Sequence, residues 1–468
     1  MSNTPVSPSA PAASGNPRAA QDPRKRRFLI KLSAVIAGGM FIDGFILGGI
    51  GLVMPSLSDD LGLSATWQGL IGASALIGIF FGGPIGGLLA DKVGRKPMFT
   101  VDLAIFLIGS VAQFFVGEAW QLFVIRFVMG LAIGADYAIG WPMLAEFSPA
   151  RIRGKLLAFQ EVAWYIGYLV SYAVGYFMLS SLHLDWRLIL GMSTVPSLIV
   201  FLMRLGTPES PRWLISKGRA EEGHAIAEEF MEPEEAAEMH QEAQRSAGFM
   251  ALFSKANRRA TAFTSLYWAC NVTPYFAIAT FAPIVLESLG VQDGLAGALL
   301  LNSVVVAGAV AAMFLIERVG RRMLAIPPMW IGSVALVIIG LFAHVSPLII
   351  LTCFVVFSFA NAVSTALTGV FPGEVFPTEV RGAGVGFATA VSRIGAAAGT
   401  FILPLAVDGL GVGTTMLIAA AICAVGAVIA YYLAPETKGV SLHAVSVPHV
   451  AVDRSAPEPN RLSAVIAD

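Results

Sequence analysis

Apolar runs of membrane-spanning length alternate with short polar turns along most of this chain. A helix that crosses a bilayer needs roughly 20 apolar residues. Twelve such stretches occur, near 28–54, 66–90, 98–116, 120–145, 155–180, 188–206, 261–286, 296–316, 323–344, 347–371, 383–407 and 411–433. The pattern predicts an all-α integral membrane protein with twelve transmembrane helices. One internal polar interval is much longer than the others. It runs from Thr207 to Ala260, acidic in its middle and basic at its end, with six apolar stretches on each side. The expected organisation is a polar tail over 1–27, a six-helix bundle over 28–206, a linker with short helices over 207–260, a second six-helix bundle over 261–434 and a tail over 435–468. The linker has helical spacing, as over Ala220 to Phe230, with acidic faces, and is expected to brace the two bundles.

The two halves repeat each other. DKVGRK at Asp91–Lys96 recurs as ERVGRR at Glu317–Arg322, 226 residues later. Glu146, Arg153 and Gly154 recur as Glu374, Arg381 and Gly382, 228 residues later, and PESPRWL at Pro208 recurs as PETKGVS at Pro435, 227 later. Three motifs kept in order at nearly one spacing mark an internal duplication. Two tandem sets of apolar helices with a substrate between them are the plan of many secondary transporters.

Composition strengthens the membrane reading. The chain is 56% hydrophobic and 13% charged, with a mean hydropathy of +0.74, too apolar for a soluble protein of this length. Cys270, Cys353 and Cys423 fall inside apolar stretches and read as small buried hydrophobes without a disulfide framework. Of the 30 Lys and Arg, 27 fall in the tails, the linker region or the alternate loops. Arg187 lies on the other side, and Arg126 and Arg393 lie inside helices. This bias puts both termini and the linker in the cytosol. Without a large glycosylated outer loop, the expected location is a bacterial inner membrane. No nucleotide-binding loop or clustered metal ligands occur, and the six His residues are scattered. An enzyme is not indicated, no cofactor or nucleic acid is implied, and a monomer is expected.

The motifs GLLADKVGRK, RFVMGLAIG beginning at Arg126, EFSPARIRG, PESPRWL, ERVGRR, GEVFPTEVRG and PETKG resemble the major facilitator superfamily, and within it the sugar-porter-like branch. The resemblance covers about residues 28–441 and implies transport by alternating access. It assigns Asp91, Arg95, Glu146, Arg153, Glu317, Arg321, Glu374 and Arg381 to a cytosolic gate. Gly87 is expected to let two helices approach closely, and Asp91 and Arg95 to pair across the halves when the inner side is shut.

Ionisable groups within the bilayer are costly unless paired or hydrated, so each is a functional candidate. Asp43 lies near the middle of the first helix. Arg126 lies in the fourth, about 10 Å below the outer surface at 1.5 Å per residue. Proton-using sugar porters carry an Asp and an Arg in these helices, and the resemblance implies a coupling pair in which ionised Asp43 holds Arg126 and protonated Asp43 releases it. Arg126 also begins a row with Gly130, Gly134 and Ala138, a close-packing face. Asp136 points about 80° away from Arg126 and is expected either to line a cavity or to pair locally.

Glu161, Tyr165, Tyr168 and Tyr172 recur at i, i+4, i+7 and i+11, one face of the fifth helix. An acid and three phenols suit a wet cavity better than lipid. In sugar porters the Glu161 position is a Gln that bonds the sugar. An acid there suits a donor, a cation or a second proton. The seventh helix reads Cys270–Asn271 then Pro274, where sugar porters have a Gln pair and Gly. The tenth reads Ser364-Thr365-Ala366…Gly369, without the sugar-porter Trp residues. The hexose-binding pattern is thus depleted. Arg393-Ile394-Gly395 in the eleventh helix resembles organic-anion transporters of the superfamily, and a mid-membrane guanidinium suits a carboxylate. The expected function is proton-coupled symport of a small carboxylate, an aromatic one being favoured, with Arg393, Glu161, Tyr165, Tyr168, Asn271 and Asp136 as substrate contacts. The alternatives are a sugar or polyol symporter and a drug or cation exporter.

Overall fold

The computed structural model describes residues 23–204, 208–231, 249–342, 346–376 and 380–437. Among these the regular elements are all helical. The first half comprises α1 (Pro23–Leu61), α2 (Ala65–Val93), α3 (Arg95–Ala112), α4 (Ala119–Phe147), α5 (Ala150–Ser180), α6 (Trp186–Gly191) and α7 (Thr194–Arg204). The linker contributes α8 (Pro211–Ser216) and α9 (Ala220–Phe230). The second half comprises α10 (Arg258–Thr280), α11 (Ala282–Ser288), α12 (Gly294–Val319), α13 (Arg321–Leu341), α14 (Pro347–Val375) and α15 (Arg381–Leu433).

Ten helical stretches are long and apolar enough to cross a membrane, α6 and α7 together forming one of them. The pair α10–α11 bends by 72° and forms a further crossing. At 53 residues α15 far exceeds one crossing, and it breaks at Gly411, whose φ of 81° is non-helical. Counting the bent pair once and α15 twice gives twelve crossings among the described residues. Large apolar side chains such as Phe81, Ile108, Phe177 and Phe314 are exposed on the outer faces, where a soluble protein would place polar groups and lipid takes their place.

Backbone contact between α2 and α4 depends on glycine. A Cβ on Gly82 would lie 2.1 Å from the Leu131 carbonyl oxygen, and one on Gly130 would lie 2.2 Å from that of Ala75. The row from Arg126 through Gly130 and Gly134 is therefore a close-packing face. Gly87 is not part of the tight contact, because a Cβ there would meet only Ala138 Cβ at 3.9 Å. The helices are still close at this level, where a Cβ on Gly86 would lie 2.5 Å from Ala135 Cα, so it is Gly86 and not Gly87 that faces the contact. Cys423 is buried, but Cys270 and Cys353 are only half-buried.

The halves meet at the bundle end opposite the linker. A Cβ on Gly51 of α1 would lie 2.7 Å from the Thr280 carbonyl, and one on Gly69 of α2 would lie 2.5 Å from that of Phe401. The Tyr176 hydroxyl donates to Asp293 at 3.3 Å across the same end. In the linker, α9 packs on the first half: Phe230 stacks on Phe28 at 4.0 Å, and the Lys25 ammonium donates to the Met231 carbonyl. Phe249 and Phe253 pack edge-on against Phe387 of the second half.

Candidate functional site

A cavity of about 40 Å³ lies between the halves. The first half lines it with Met40, Tyr137, Trp141, Glu161, Trp164 and Tyr165, and the second half closes it with Trp268, Val272, Tyr275, Phe276, Thr365, Thr368, Thr389 and Arg393. That volume holds a few waters, so a metabolite enters only when the halves part. Trp141 stacks on Trp268 across the interface, with centroids 6.2 Å apart and planes within 7°. The Arg393 guanidinium lies 5.5 Å from the Tyr137 ring centroid and 5.4 Å from that of Phe276, within cation–π reach of both.

Several polar groups of this wall have no partner. Arg393 is 6% exposed and its Nε is unsatisfied, as are Trp141 Nε1 and the Tyr275 hydroxyl. Among the described residues neither Arg393 nor Glu161 makes a hydrogen bond or ion pair. A buried polar group left unbonded costs free energy, so an aromatic wall carrying several of them is suited to a polar ligand.

The sequence-derived candidates separate here. Arg393, Glu161 and Tyr165 share the cavity. Tyr168 does not line it. It lies beside Arg126 and stacks on Tyr172 at 6.3 Å. The Glu161–Tyr172 face is continuous, but eleven residues climb about 16 Å along a helix, which carries the later tyrosines past the cavity. Asn271 also lies outside the cavity lining. It donates to the Ser364 hydroxyl at 2.7 Å and accepts from Thr365 Oγ1 at 2.5 Å, while Asn361 donates to its backbone carbonyl at 3.1 Å. This polar clasp joins α10 to α14 and positions the cavity-lining Thr365.

Asp136 also lies away from the cavity lining. It belongs to a buried cluster in which Arg204 donates to Asp136 at 2.9 Å and to Asp102 at 3.3 Å. From sequence Arg204 is one of the linker-region charges, because it ends an apolar run, and the signal for the cluster is Asp102, an acid inside the third apolar stretch. Asp43 is fully buried and neither carboxyl oxygen has a hydrogen-bond partner. The charges acting on it are Asp136, Arg204, Asp102 and Arg393. Asp43 and Arg126 are not paired in this structure: Arg126 instead donates to the Ile46 carbonyl at 3.3 Å, three residues along α1. The Arg204 cluster and the cavity nevertheless share helices, through Met40 and Asp43 on α1 and through Asp136 and Tyr137 on α4.

At the linker end the duplication becomes geometric. Glu209 accepts from the Arg95 backbone N–H at 2.9 Å, capping α3, and Glu436 accepts from that of Arg321 at 2.9 Å, capping α13. These glutamates of the PES and PET motifs face Gly94 and Gly320, at φ 110° and 89°. Arg321 further donates to Glu317 at 3.1 Å and to Glu374 at 2.8 Å, and the Thr437 hydroxyl donates to Glu374. Among the described residues these contacts join groups of the second half. The side chains of Asp91, Glu146, Arg153 and Arg381 lie outside the described residues.

The chain matches the family model for sugar (and other) transporters over residues 25–447. It is 36% identical over 416 residues to the inner membrane metabolite transport protein YgcS of Escherichia coli (strain K12), covering 89% of this chain and 93% of that protein. It is 28% identical over 436 residues to the niacin transporter NiaP of Acinetobacter baylyi, covering 90% and 97%. Its fold is similar to that of XylE from E. coli, the major facilitator superfamily proton:xylose symporter, bound to 6-bromo-6-deoxy-D-glucose, with a TM-score of 0.77 at 22% identity, covering 90% of this chain and 99% of that one. The chain belongs to the sugar (and other) transporter family and is a secondary transporter with the major facilitator fold, not an enzyme.

Proposed function

We propose that this member of the sugar (and other) transporter family is a proton-coupled symporter of a small organic carboxylate, preferably aromatic, working by alternating access. The observation that carries the reading is Arg393, a buried guanidinium without a hydrogen-bond or ion-pair partner among the described residues, on the wall of an aromatic cavity between the halves. A carboxylate fills that role because it matches the planar fork of donors. Trp141 Nε1 and the Tyr275 hydroxyl supply further donors. The niacin transporter among the relatives supports the same substrate chemistry, since niacin is an aromatic carboxylic acid.

Asp43 takes the coupling proton. Its carboxyl lies without a hydrogen-bond partner on α1, one turn from cavity-lining Met40. Ionisation there attracts Arg126, is favoured by Arg204 and opposed by Asp136 and Asp102, and biases the equilibrium between the two access states. The duplicated motifs around Arg95, Glu317, Arg321 and Glu374, together with Asp91, Glu146, Arg153 and Arg381, form the inner gate. Both termini face the cytosol of a bacterial inner membrane, and the transporter works as a monomer.

A sugar or polyol substrate is the second reading, favoured by the hydroxyls of Thr365, Thr368 and Thr389 on the wall. Proteoliposomes with an inside-alkaline pH gradient test the two. Labelled benzoate accumulation above that of protein-free liposomes, which take up the neutral acid passively, but no xylose accumulation, is the expected result, and xylose accumulation without protein-dependent benzoate uptake transfers the function to the sugar reading.

A further inference from the structure

Two opposite charges border the cavity without neutralising each other. Arg393 projects from α15 and Glu161 from α5, and both line the same cavity. They interact electrostatically, yet no ion pair forms within 4.0 Å. If their only role were to hold the halves together, they would be expected to close the gap, since a half-satisfied buried pair costs more than a completed one.

The surroundings of the two groups differ. Arg393 is flanked by the rings of Tyr137 and Phe276. Glu161 lies one helical turn before Tyr165, whose ring meets that of Tyr275 edge-on at 6.0 Å. A carboxylate among electron-rich rings suits a cationic nitrogen, through both ion pairing and cation–π attraction. Trp141 and Trp268 add a flat stacked surface, which favours a ring joining the two charged ends.

Resting on the carboxylate reading, we propose that the substrate is an aromatic zwitterion, its carboxylate held by Arg393 and its cationic nitrogen by Glu161. Each cavity charge then meets its complement, and the bound complex carries no uncompensated charge at this site. Glu161 is the residue that separates this substrate from a simple aromatic anion.

Three probes of one ring size test the assignment by calorimetry on the full chain in detergent: N-methylpyridinium-3-carboxylate, benzoate and N-methylpyridinium. The zwitterion is expected to bind at least about tenfold more tightly than either singly charged probe. Glu161→Gln, nearly equal in size, is expected to erase the advantage over benzoate, and Glu161→Asp to restore part of it. Size-exclusion profiles establish that each variant is folded. If benzoate binds wild type as tightly as the zwitterion, the zwitterion assignment is wrong and the carboxylate reading stands. If the advantage survives Glu161→Gln, the nitrogen is not held by Glu161 and the assignment is likewise wrong. If neither carboxylate binds, both readings fall.

Discussion

Arg204 donates to both carboxylate oxygens of Asp136, at 2.9 and 3.2 Å. The contact joins the end of α7 to the middle of α4, with Asp102 of α3 on the same guanidinium. All three side chains are buried. The cluster is also pressed against α1, since a Cβ on Gly39 would lie 2.0 Å from one Arg204 nitrogen. Removing Asp136 leaves Arg204 with Asp102 alone and takes away the shorter of the guanidinium's two carboxylate contacts. Asp136→Ala is expected to destabilise the protein by about 1.5–3 kcal/mol, and Asp136→Asn by less, because the amide oxygen still accepts one hydrogen bond. The melting midpoint in detergent checks both. An unchanged midpoint for Asp136→Ala would show that the cluster adds nothing to stability.

Asp43 contributes a carboxyl but no hydrogen bond to the fold. Replacing it by Asn therefore removes titration with little loss of packing. Asp43→Asn is expected to abolish accumulation driven by a pH gradient while leaving exchange of substrate across the membrane measurable. Proteoliposome uptake and counterflow measure the two separately, and normal pH-driven accumulation would exclude Asp43 from coupling.

The two capping glutamates make a paired prediction. A carboxylate at a helix N-terminus accepts unsatisfied N–H groups and complements the helix dipole. Glu436→Ala and Glu209→Ala are each expected to cost about 1 kcal/mol. Gly320→Ala is expected to cost more than Glu436→Ala. It puts a side chain at φ 89° and a Cβ 2.8 Å from the glutamate carboxylate. Thermal unfolding of the three variants gives the order, and Gly320→Ala at wild-type stability would contradict the geometry.

Arg393→Ala removes a charge-assisted contact of roughly 1.5–3 kcal/mol, so carboxylate binding is expected to weaken about ten- to a hundredfold. Arg393→Lys is expected to recover part of the loss, because the ammonium keeps the charge and loses the fork. Calorimetric titration with benzoate reads the effect. Equal affinity in wild type and Arg393→Ala would place the acid elsewhere in the protein.

The amino-acid sequence by itself determined the membrane class, the crossings, the long linker and the duplication. Each is written in local signals: runs of about 20 apolar residues, Lys and Arg in alternate loops, and glycines one turn apart, as at Gly130 and Gly134. It also marked Arg393, Glu161 and Tyr165, because a charge or a phenol stripe in an apolar run stands out without knowledge of its neighbours. Which charges lack partners was decided only by the tertiary structure. Arg204 looked like a boundary charge until α3, α4 and α7 brought Asp102 and Asp136 to it, from 102 and 68 residues away. The separation of Tyr165 from Tyr168 likewise depended on where a cavity opens along α5, which helical periodicity does not encode. Glu209 and Glu436 were visible as repeated letters, but their work as caps appears only when the chain returns after more than a hundred residues to the starts of α3 and α13. Apolar periodicity specifies which elements form, while the free energy of buried polar groups is settled among side chains that meet only on packing.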